Sequence, residues 1–204
     1  MIIAVDGPAA AGKGTLARRL AQHFGYHFLD TGLLYRMTAR ALLDGGHEPD
    51  DRAAAIAAAE QFDPRRYPEA DLRSEEVGEI ASAVAVIPEV RRALLAYQRS
   101  FAAQPPGAVL DGRDIGTVVC PDADAKFYVT ASPEVRARRR LLELAERGQS
   151  APYGHVLAGI HARDARDSAR AAAPLVPAAN AIILDTSHMS AGEVLAAALR
   201  AMGG

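Results

Sequence analysis

The sequence predicts an α/β fold of three layers, with a five-stranded parallel sheet between helices and a phosphate-binding loop at its first strand. Three observations carry this. Short apolar runs without polar alternation recur along the chain, as expected of strands buried on both faces. The first of them leads straight into Gly7-x-x-x-x-Gly12-Lys13 and then into a helical pattern, which is the context that loop requires. Strands and helices alternate to the end with no internal repeat, which favours parallel crossovers.

Taken in order, Ile2 to Val5 is the first strand, and Gly7 to Thr15 forms the loop. The helix after it carries Leu16, Leu20 and Phe24 on one face and stops at Gly25. Tyr26 to Leu29 reads as the second strand, ending in the turn Asp30-Thr31-Gly32, with a helix over Leu34 to Leu43 closed by Gly45-Gly46. From His47 to Glu79 the chain is polar, holds Pro64 and Pro68, and contains one Ala-rich helical piece, so it reads as an inserted helical region rather than core. Pro88 opens a helix bearing Val90, Leu94, Leu95 and Phe101, which Gln104-Pro105-Pro106-Gly107 breaks. Ala108 to Leu110 and Lys126 to Val129 are the third and fourth strands. Ser132-Pro133 caps a helix with Arg136, Arg138, Arg139 and Arg140 on its basic face, and a charge-lined helix spans about Val156 to Arg170. Ala181 to Leu184 is the fifth strand. Ser190 and Glu193 form a capping box for a last helix that turns Leu195, Leu199 and Met202 inward.

Composition narrows the function. At 204 residues, half of them hydrophobic and 24% charged, the chain can bury a core of its own and is not a disordered or fibrous sequence. A formal net charge of -2 gives no global attraction to nucleic acid or anionic membrane, and aromatics at 5% offer no stacking platform for bases. A single cysteine, Cys120, excludes an intrachain disulfide and a Cys-based zinc site, and the six histidines show no metal or triad spacing. No apolar run reaches the roughly 20 residues of a membrane span, and no basic stretch precedes an apolar one at the N-terminus. The expectation is a cytoplasmic protein.

The chemistry concentrates around the loop. Its glycines let backbone N–H groups point at an anion, with the helix dipole behind them, and Lys13, one of only two lysines, adds a point charge. The hydroxyl residue expected directly after the lysine is displaced by Gly14 to Thr15, so a Mg²⁺ ion must be held through phosphates, water and another residue. Asp111, directly after the third strand, is in place to meet the Mg²⁺ shell, and equally fits a solvated Asp-Gly turn. Arg36, Arg113 and the run Arg163 to Arg170 group cations near expected strand ends. In that run Arg163, Asp167 and Arg170 fall at i, i+4 and i+7 of one helical face, which reads either as an anion-binding surface or as an exposed salt-bridged helix.

Over nearly its whole length the sequence resembles the bacterial cytidylate kinases of the nucleoside monophosphate kinase family, a group of P-loop enzymes. The resemblance rests on Gly7-Pro8 through Gly12-Lys13-Gly14-Thr15, Leu29-Asp30-Thr31-Gly32-Leu33-Leu34-Tyr35-Arg36, Arg73-Ser74-Glu75-Glu76-Val77, and Ser82-Ala83-Val84-Ala85 with Pro88-Glu89-Val90-Arg91. Asp111-Gly112-Arg113-Asp114-Ile115-Gly116-Thr117, the arginine-rich run and Ala173-Pro174-Leu175-Val176-Pro177 complete it. The loop is shared by many kinases; the Ser82/Arg91 segment, Gly112-Arg113-Asp114 and the Arg163–Arg170 run are the specific part.

The resemblance implies one kinase domain over 1–204, with a core of 1–36, 86–150 and 171–204, a small acceptor-binding insertion at about 37–85 and a short lid at about 151–170. It implies transfer of the γ-phosphoryl group of ATP to CMP or dCMP with Mg²⁺, by a monomer that binds no nucleic acid and no membrane. Gly7, Pro8, Ala9, Ala10, Ala11, Gly12, Lys13, Gly14 and Thr15 would bind ATP, with Arg136 and Arg139 as candidates for a clamp on its phosphates. In that family the turn after the second strand usually carries serine; Thr31 keeps the hydroxyl for a phosphate or sugar contact. Arg36 would bind the acceptor phosphate, Arg113 would contact the acceptor CMP, and Ser82, Arg91 and Asp114 would read the cytosine edge. Arg163 and Asp167 would lie near acceptor phosphate and ribose, with Arg170 at the transferring group, so that Lys13, Arg139 and Arg170 are the expected catalytic residues and Asp111 the expected metal residue, acting through water. Two other readings remain open on the residues alone. One is a small kinase for AMP, UMP or a metabolite such as shikimate; the other is a non-catalytic nucleotide switch, which the absence of an Asn-Lys-x-Asp motif disfavours.

Overall fold

Strands β1 (Ile2–Asp6), β2 (His27–Asp30), β3 (Ala108–Gly112), β4 (Ala125–Thr130) and β5 (Ile182–Asp185) form one sheet in the order β2-β3-β1-β4-β5 in the computed structural model, which describes residues 1–203. Every pairing is parallel. The chain steps from β1 out to β2, returns through β3 and then crosses β1 to β4, so the topology reverses beside the C-terminal end of β1, where ligands of such sheets bind. β3 is buried along its full length and β1 from Ile3 on, as their unalternating apolar sequence requires.

Helices α1 (Lys13–Phe24) and α8 (Ala191–Ala201) cover one face of the sheet through Leu16, Leu20, Val194 and Ala198 against Ile3, Val5, Phe127 and Val129. Val194 and Ala198 are the buried residues of α8, while Leu195, Leu199 and Met202, the expected inward set, are only partly buried at its flanks. The other face packs Ala4 and Leu110 against Ala102 of α5 (Pro88–Ala102) and against Ile115 and Val119. These last two belong to a π-helical turn, Ile115–Val119, that the apolar pattern did not reveal.

The polar segment after α2 (Thr31–Asp44) folds as α3 (Arg52–Glu60), a 3-10 turn (Glu69–Leu72) and α4 (Glu75–Val84). It is not without a core: Ala55, Ala59, Val77, Ile80 and Ala81 pack with Leu34, Leu42, Val90 and Leu94 of α2 and α5. Helices α6 (Pro133–Glu146) and α7 (Tyr153–Ser168) make a separate small cluster of Ala137, Leu144, Val156 and Ile160. α7 ends before Arg170, so that arginine is not on the helix expected to carry it. Among the described residues no helix is long and apolar enough to cross a membrane.

Two strands run further than their apolar residues suggest. β2 ends at Asp30 and β3 at Gly112, so Asp30 and Asp111 are part of the ladder and are register partners. At the mouth of the loop Gly7 has φ 150°, and a Cβ there would lie 2.0 Å from the Val129 carbonyl oxygen of β4. Gly7→Ala is therefore expected to lower unfolding stability by about 2–3 kcal/mol. In urea that is a midpoint shift of about 1 M. An unshifted midpoint would mean that β1 and β4 separate freely at this end.

Candidate functional site

The site begins where β1 hands the chain to α1. Gly12 caps that helix with φ 90° and no side-chain hydrogen bond, so first-turn N–H groups remain for a ligand. Ala10 also has positive φ, at 58°. The loop is braced from behind: the Thr186 hydroxyl donates to the Ala11 carbonyl at 2.8 Å, and Arg139 Nη1 donates to the same oxygen at 3.3 Å.

Lys13 Nζ lies 3.5 Å from Asp111 Oδ1, an oxygen that is buried without a hydrogen bond. Burial pushes the Asp111 carboxyl up to about 6 against the pull of Lys13. The other oxygen, Oδ2, fills the space a side chain at position 14 would need, since a Cβ on Gly14 would approach it to 2.9 Å. The missing hydroxyl after Lys13 and the carboxylate of β3 thus occupy one and the same place.

A cavity of about 830 Å³ opens over the loop. Lys13, Gly14, Asp30 and Asp111 line its floor, and Arg36, Ser82, Arg113 and Arg163 line its far walls. Arg36 crosses the face of Gly78 and donates from Nη1 to the carbonyls of Leu72 at 2.7 Å and Ser74 at 3.2 Å, fastening the inserted segment. Burial and the nearby Arg140 push it down to about 10. Arg163 is pushed down to about 9 by burial and by Arg113, and its Nε is buried without a partner. Arginine stays protonated, so these shifts reflect first the burial of charge and second its crowding, both of which a bound anion would offset.

Asp167 holds part of that charge in place. Its carboxylate accepts from Arg113 Nε at 3.0 Å and from Arg170 Nη2, which reaches back from beyond the end of α7. Burial raises the Asp167 carboxyl, but Arg113, Arg170 and Arg163 together outweigh it and hold it below the usual range. The Nε of Arg170 remains buried and unpartnered.

Arg91 and Asp114 form a second buried ion pair, and Arg91 also donates to the Ala85 carbonyl at 3.2 Å, at the end of the helix that carries Ser82. The Ser82 hydroxyl is buried, lines the cavity and has no partner. Asp114 is held in place by the π-helical turn on its C-terminal side. The Asp6 carboxylate accepts from the N–H groups of Ile115 and Gly116 at 2.8 Å each, and Arg99 donates to the carbonyls of Val118 and Val119 at 3.1 Å each. Burial pushes Asp6 up to about 6.

Of the expected acceptor residues, Arg91, Asp114, Asp167 and Arg170 stand behind the lining of the large cavity rather than on it, and three more expected site residues stand elsewhere. Thr31 donates its hydroxyl proton to the Asp111 carbonyl at 2.8 Å and is buried behind the cavity wall, stitching α2 to β3. Arg136 is buried and gives its donors to protein: a bidentate pair with Asp164 at 2.9 and 2.6 Å, and the Ala131 carbonyl at 2.9 Å. Its place is that of a brace between α6 and α7. Arg139 faces not the large cavity but a second one of about 350 Å³ behind the loop, walled by Leu16, Leu142, Met189 and Val194, and it is fixed there by the Thr186 hydroxyl at 2.9 Å and carbonyl at 2.7 Å. Sequence reasoning passed over Asp6, Asp30, Asp164 and Thr186. Only Asp30 left a local sign, as an acid placed to cap the helix that begins beside it.

Set beside known proteins, the chain matches the family model described as cytidylate kinase over residues 3–203. It is 62% identical over 199 residues to the cytidylate kinase of Methylocella silvestris, covering 98% of this chain and 92% of that protein. It is 57% identical over 199 residues to the cytidylate kinase of Rhodopseudomonas palustris strain BisB18, covering 98% and 94%. A solved structure of an uncharacterized protein from Eubacterium ventriosum shares the fold, with a TM-score of 0.59 at 12% identity and coverage of 100% of this chain and 99% of that one.

Proposed function

The chain belongs to the cytidylate kinase family, and from that premise we propose that it transfers the γ-phosphoryl group of ATP to CMP or dCMP, giving ADP and CDP or dCDP. The observation that carries the reading is the large cavity itself. Its floor is a phosphate loop with a lysine, its far walls are Arg36, Arg113 and Arg163, and Arg163 has a donor with no partner. The phosphate chain of a donor facing the single phosphate of an acceptor would fill such a space, whereas one nucleotide on the loop would leave the far-wall arginines unmatched.

The residues divide the work by position. The loop from Gly7 to Thr15 cradles the donor phosphates through its N–H groups, with Lys13 as a point charge on the outer ones. The smaller cavity, with Leu16, Leu142, Met189 and Val194 on one side and Arg139, Glu143 and Glu146 at its edge, takes the donor base. Arg36, Arg113 and Arg163 bind the acceptor phosphate, and Arg170, whose Nε has no partner among the described residues, would serve the transferring group once the site closes on its substrates. Asp167 orients Arg113 and Arg170 and lies on the ribose side. Ser82, Arg91 and Asp114 read the acceptor base: cytosine offers an amino donor for a carboxylate and ring acceptors for arginine.

No general base is needed. The acceptor phosphate, with a second pKa near 6, is largely dianionic at neutral pH and attacks as it stands. Catalysis is in-line positioning and charge neutralisation. Asp111 fits a divalent cation: it is the buried acid with an unbonded oxygen beside the loop, and hard oxygen donors suit Mg²⁺. Asp111 would hold such an ion, which when bound would supply positive charge against the donor phosphates. Water must be kept out or ATP would be hydrolysed, and Arg147 at the end of α6 already donates across the mouth of the cavity to the Arg73 carbonyl of the inserted segment, at 3.1 Å. In this reading segment 37–85 binds the acceptor and segment 151–170 is the lid. The reading is of a monomer acting in the cytoplasm.

The test is turnover. Protein, ATP and Mg²⁺ are mixed with each nucleoside monophosphate in turn and ADP formation is followed. Turnover confined to CMP and dCMP is expected. Equal turnover of AMP, or ATP hydrolysis indifferent to acceptor, would overturn the reading.

A further inference from the structure

We propose that Asp30 is a second carboxylate of the divalent-cation site, facing together with Asp111 the water shell of the ion that accompanies the donor phosphates. The inference rests on the phosphoryl-transfer reading and adds a residue to it.

Asp30 closes β2 and Asp111 lies in β3, and the two are register partners in adjacent parallel strands. Partners in register carry their side chains on one face of the sheet, with strands about 4.8 Å apart. Both residues line the floor of the same cavity. Each stands over a glycine at the start of a helix: a Cβ on Gly14 would come within 2.9 Å of Asp111 Oδ2, and one on Gly32 within 3.0 Å of Asp30 Oδ1. Helices α1 and α2 thus both leave room for a carboxylate at the same end of the sheet. The sign of a ligand at this end of the sheet is Asp111 Oδ1, in a residue 3% exposed, which has Lys13 at 3.5 Å as its ion-pair partner and no hydrogen bond among the described residues.

Capping leaves the rest of the Asp30 carboxylate uncommitted. Its Oδ1 accepts from the Gly32 N–H at 3.0 Å, which fixes the carboxylate, and among the described residues it makes no other hydrogen bond or ion pair. Asparagine would cap as well. A fixed negative charge on the wall of an anion cavity repels the substrate unless a cation stands between them. Mg²⁺ keeps several waters and is commonly held by one or two carboxylates plus substrate phosphates. With Gly14 in place of a hydroxyl ligand, a pair of acids on neighbouring strands supplies what a single one lacks.

The test uses Mn²⁺ as the ion and a non-hydrolysable ATP analogue as the nucleotide, with binding to the full chain measured by calorimetry with and without metal. The readout is the ratio of the two affinities. Asp30→Asn and Asp111→Asn are each expected to cut that ratio about tenfold, while affinity for the metal-free analogue stays the same or tightens. Glu79→Gln, which removes a charge from the same cavity away from the loop, is expected to leave the ratio intact. If Asp111→Asn lowers the ratio and Asp30→Asn does not, the inference falls and the role of Asp111 stands. If neither lowers it, both fall. An equal loss in Glu79→Gln would also overturn it, because net charge alone would then explain the effect. Acceptor turnover by the unmodified protein is scored separately, so failure of the kinase reading is visible without these variants.

Discussion

Replacing Lys13 with alanine is expected to lower kcat for CMP phosphorylation by about a thousandfold, the upper end of what losing one preorganised charge donor costs. Lys13 is the cation closest to the floor of the loop, and no backbone geometry depends on its side chain: the turn is set by Gly7, Ala10 and Gly12. Its one charged partner is Asp111 at 3.5 Å. Without it the Asp111 carboxyl, already near 6, loses its strongest opposing pull and rises further. The variant therefore loses a positive charge on the donor phosphates and part of a negative one toward the ion in a single change. Lys13→Arg should not restore the rate, because a planar fork does not replace a compact ammonium in a close-fitting loop. Steady-state kinetics with circular dichroism and a thermal melt decide the matter: a retained fold with lost turnover is the expected pair. Activity within a few-fold of the unmodified enzyme would show that phosphoryl transfer does not take place over this loop.

The physical reason some features were legible in the sequence and others were not is the range of the interaction. The loop is local: glycines, a lysine and the helix after it lie within nine residues, and the structure forms them as the pattern dictates. The five strands were legible because burial on both faces leaves an unbroken apolar run. Their ends were not, since Asp30, Asp111 and Gly112 extend the ladder with residues that hydropathy assigns to turns. The order β2-β3-β1-β4-β5 is a choice among crossovers that no single segment encodes.

Arginines show the limit most clearly. Arg136 and Arg139 stand three apart on α6, and their sequence context treats them alike. Yet Asp164, twenty-eight residues beyond Arg136, takes both of that guanidinium's terminal nitrogens, while Thr186, forty-seven beyond Arg139, turns the other toward a different cavity. A cation's role is set by which carboxylate or carbonyl reaches it across the fold, and that is long-range information. Asp6 was invisible for the same reason: within the apolar first strand it looks like a strand terminus, and only the folded chain brings it under the N–H groups that fix Asp114.

Base selection is where that network has consequences, and Asp114→Asn is expected to lower kcat/KM for CMP by about a hundredfold or more while UMP gains relative to it. An ionised carboxylate only accepts, which suits the amino group of cytosine; uracil presents a carbonyl oxygen at that position and is repelled. Asparagine offers both a donor and an acceptor, so it removes the penalty against uracil and weakens the bond to cytosine together. One well-placed pair is worth about 1–3 kcal/mol of discrimination. Sites built to bond a particular polar group discriminate more strongly than pockets that only fit its shape. Arg91 makes the outcome sharper, since it is held by Asp114 and by the Ala85 carbonyl. Asparagine can still accept from Arg91, so the pair should loosen without leaving a bare buried cation, whereas Asp114→Ala would leave one and confuse stability with selectivity. KM for ATP should not move, because no contact of Asp114 or Arg91 reaches the phosphate loop. A ratio of CMP to UMP efficiency unchanged in Asp114→Asn would remove this residue from base reading. Attention would then pass to Ser82, whose buried hydroxyl lines the cavity and has no partner among the described residues.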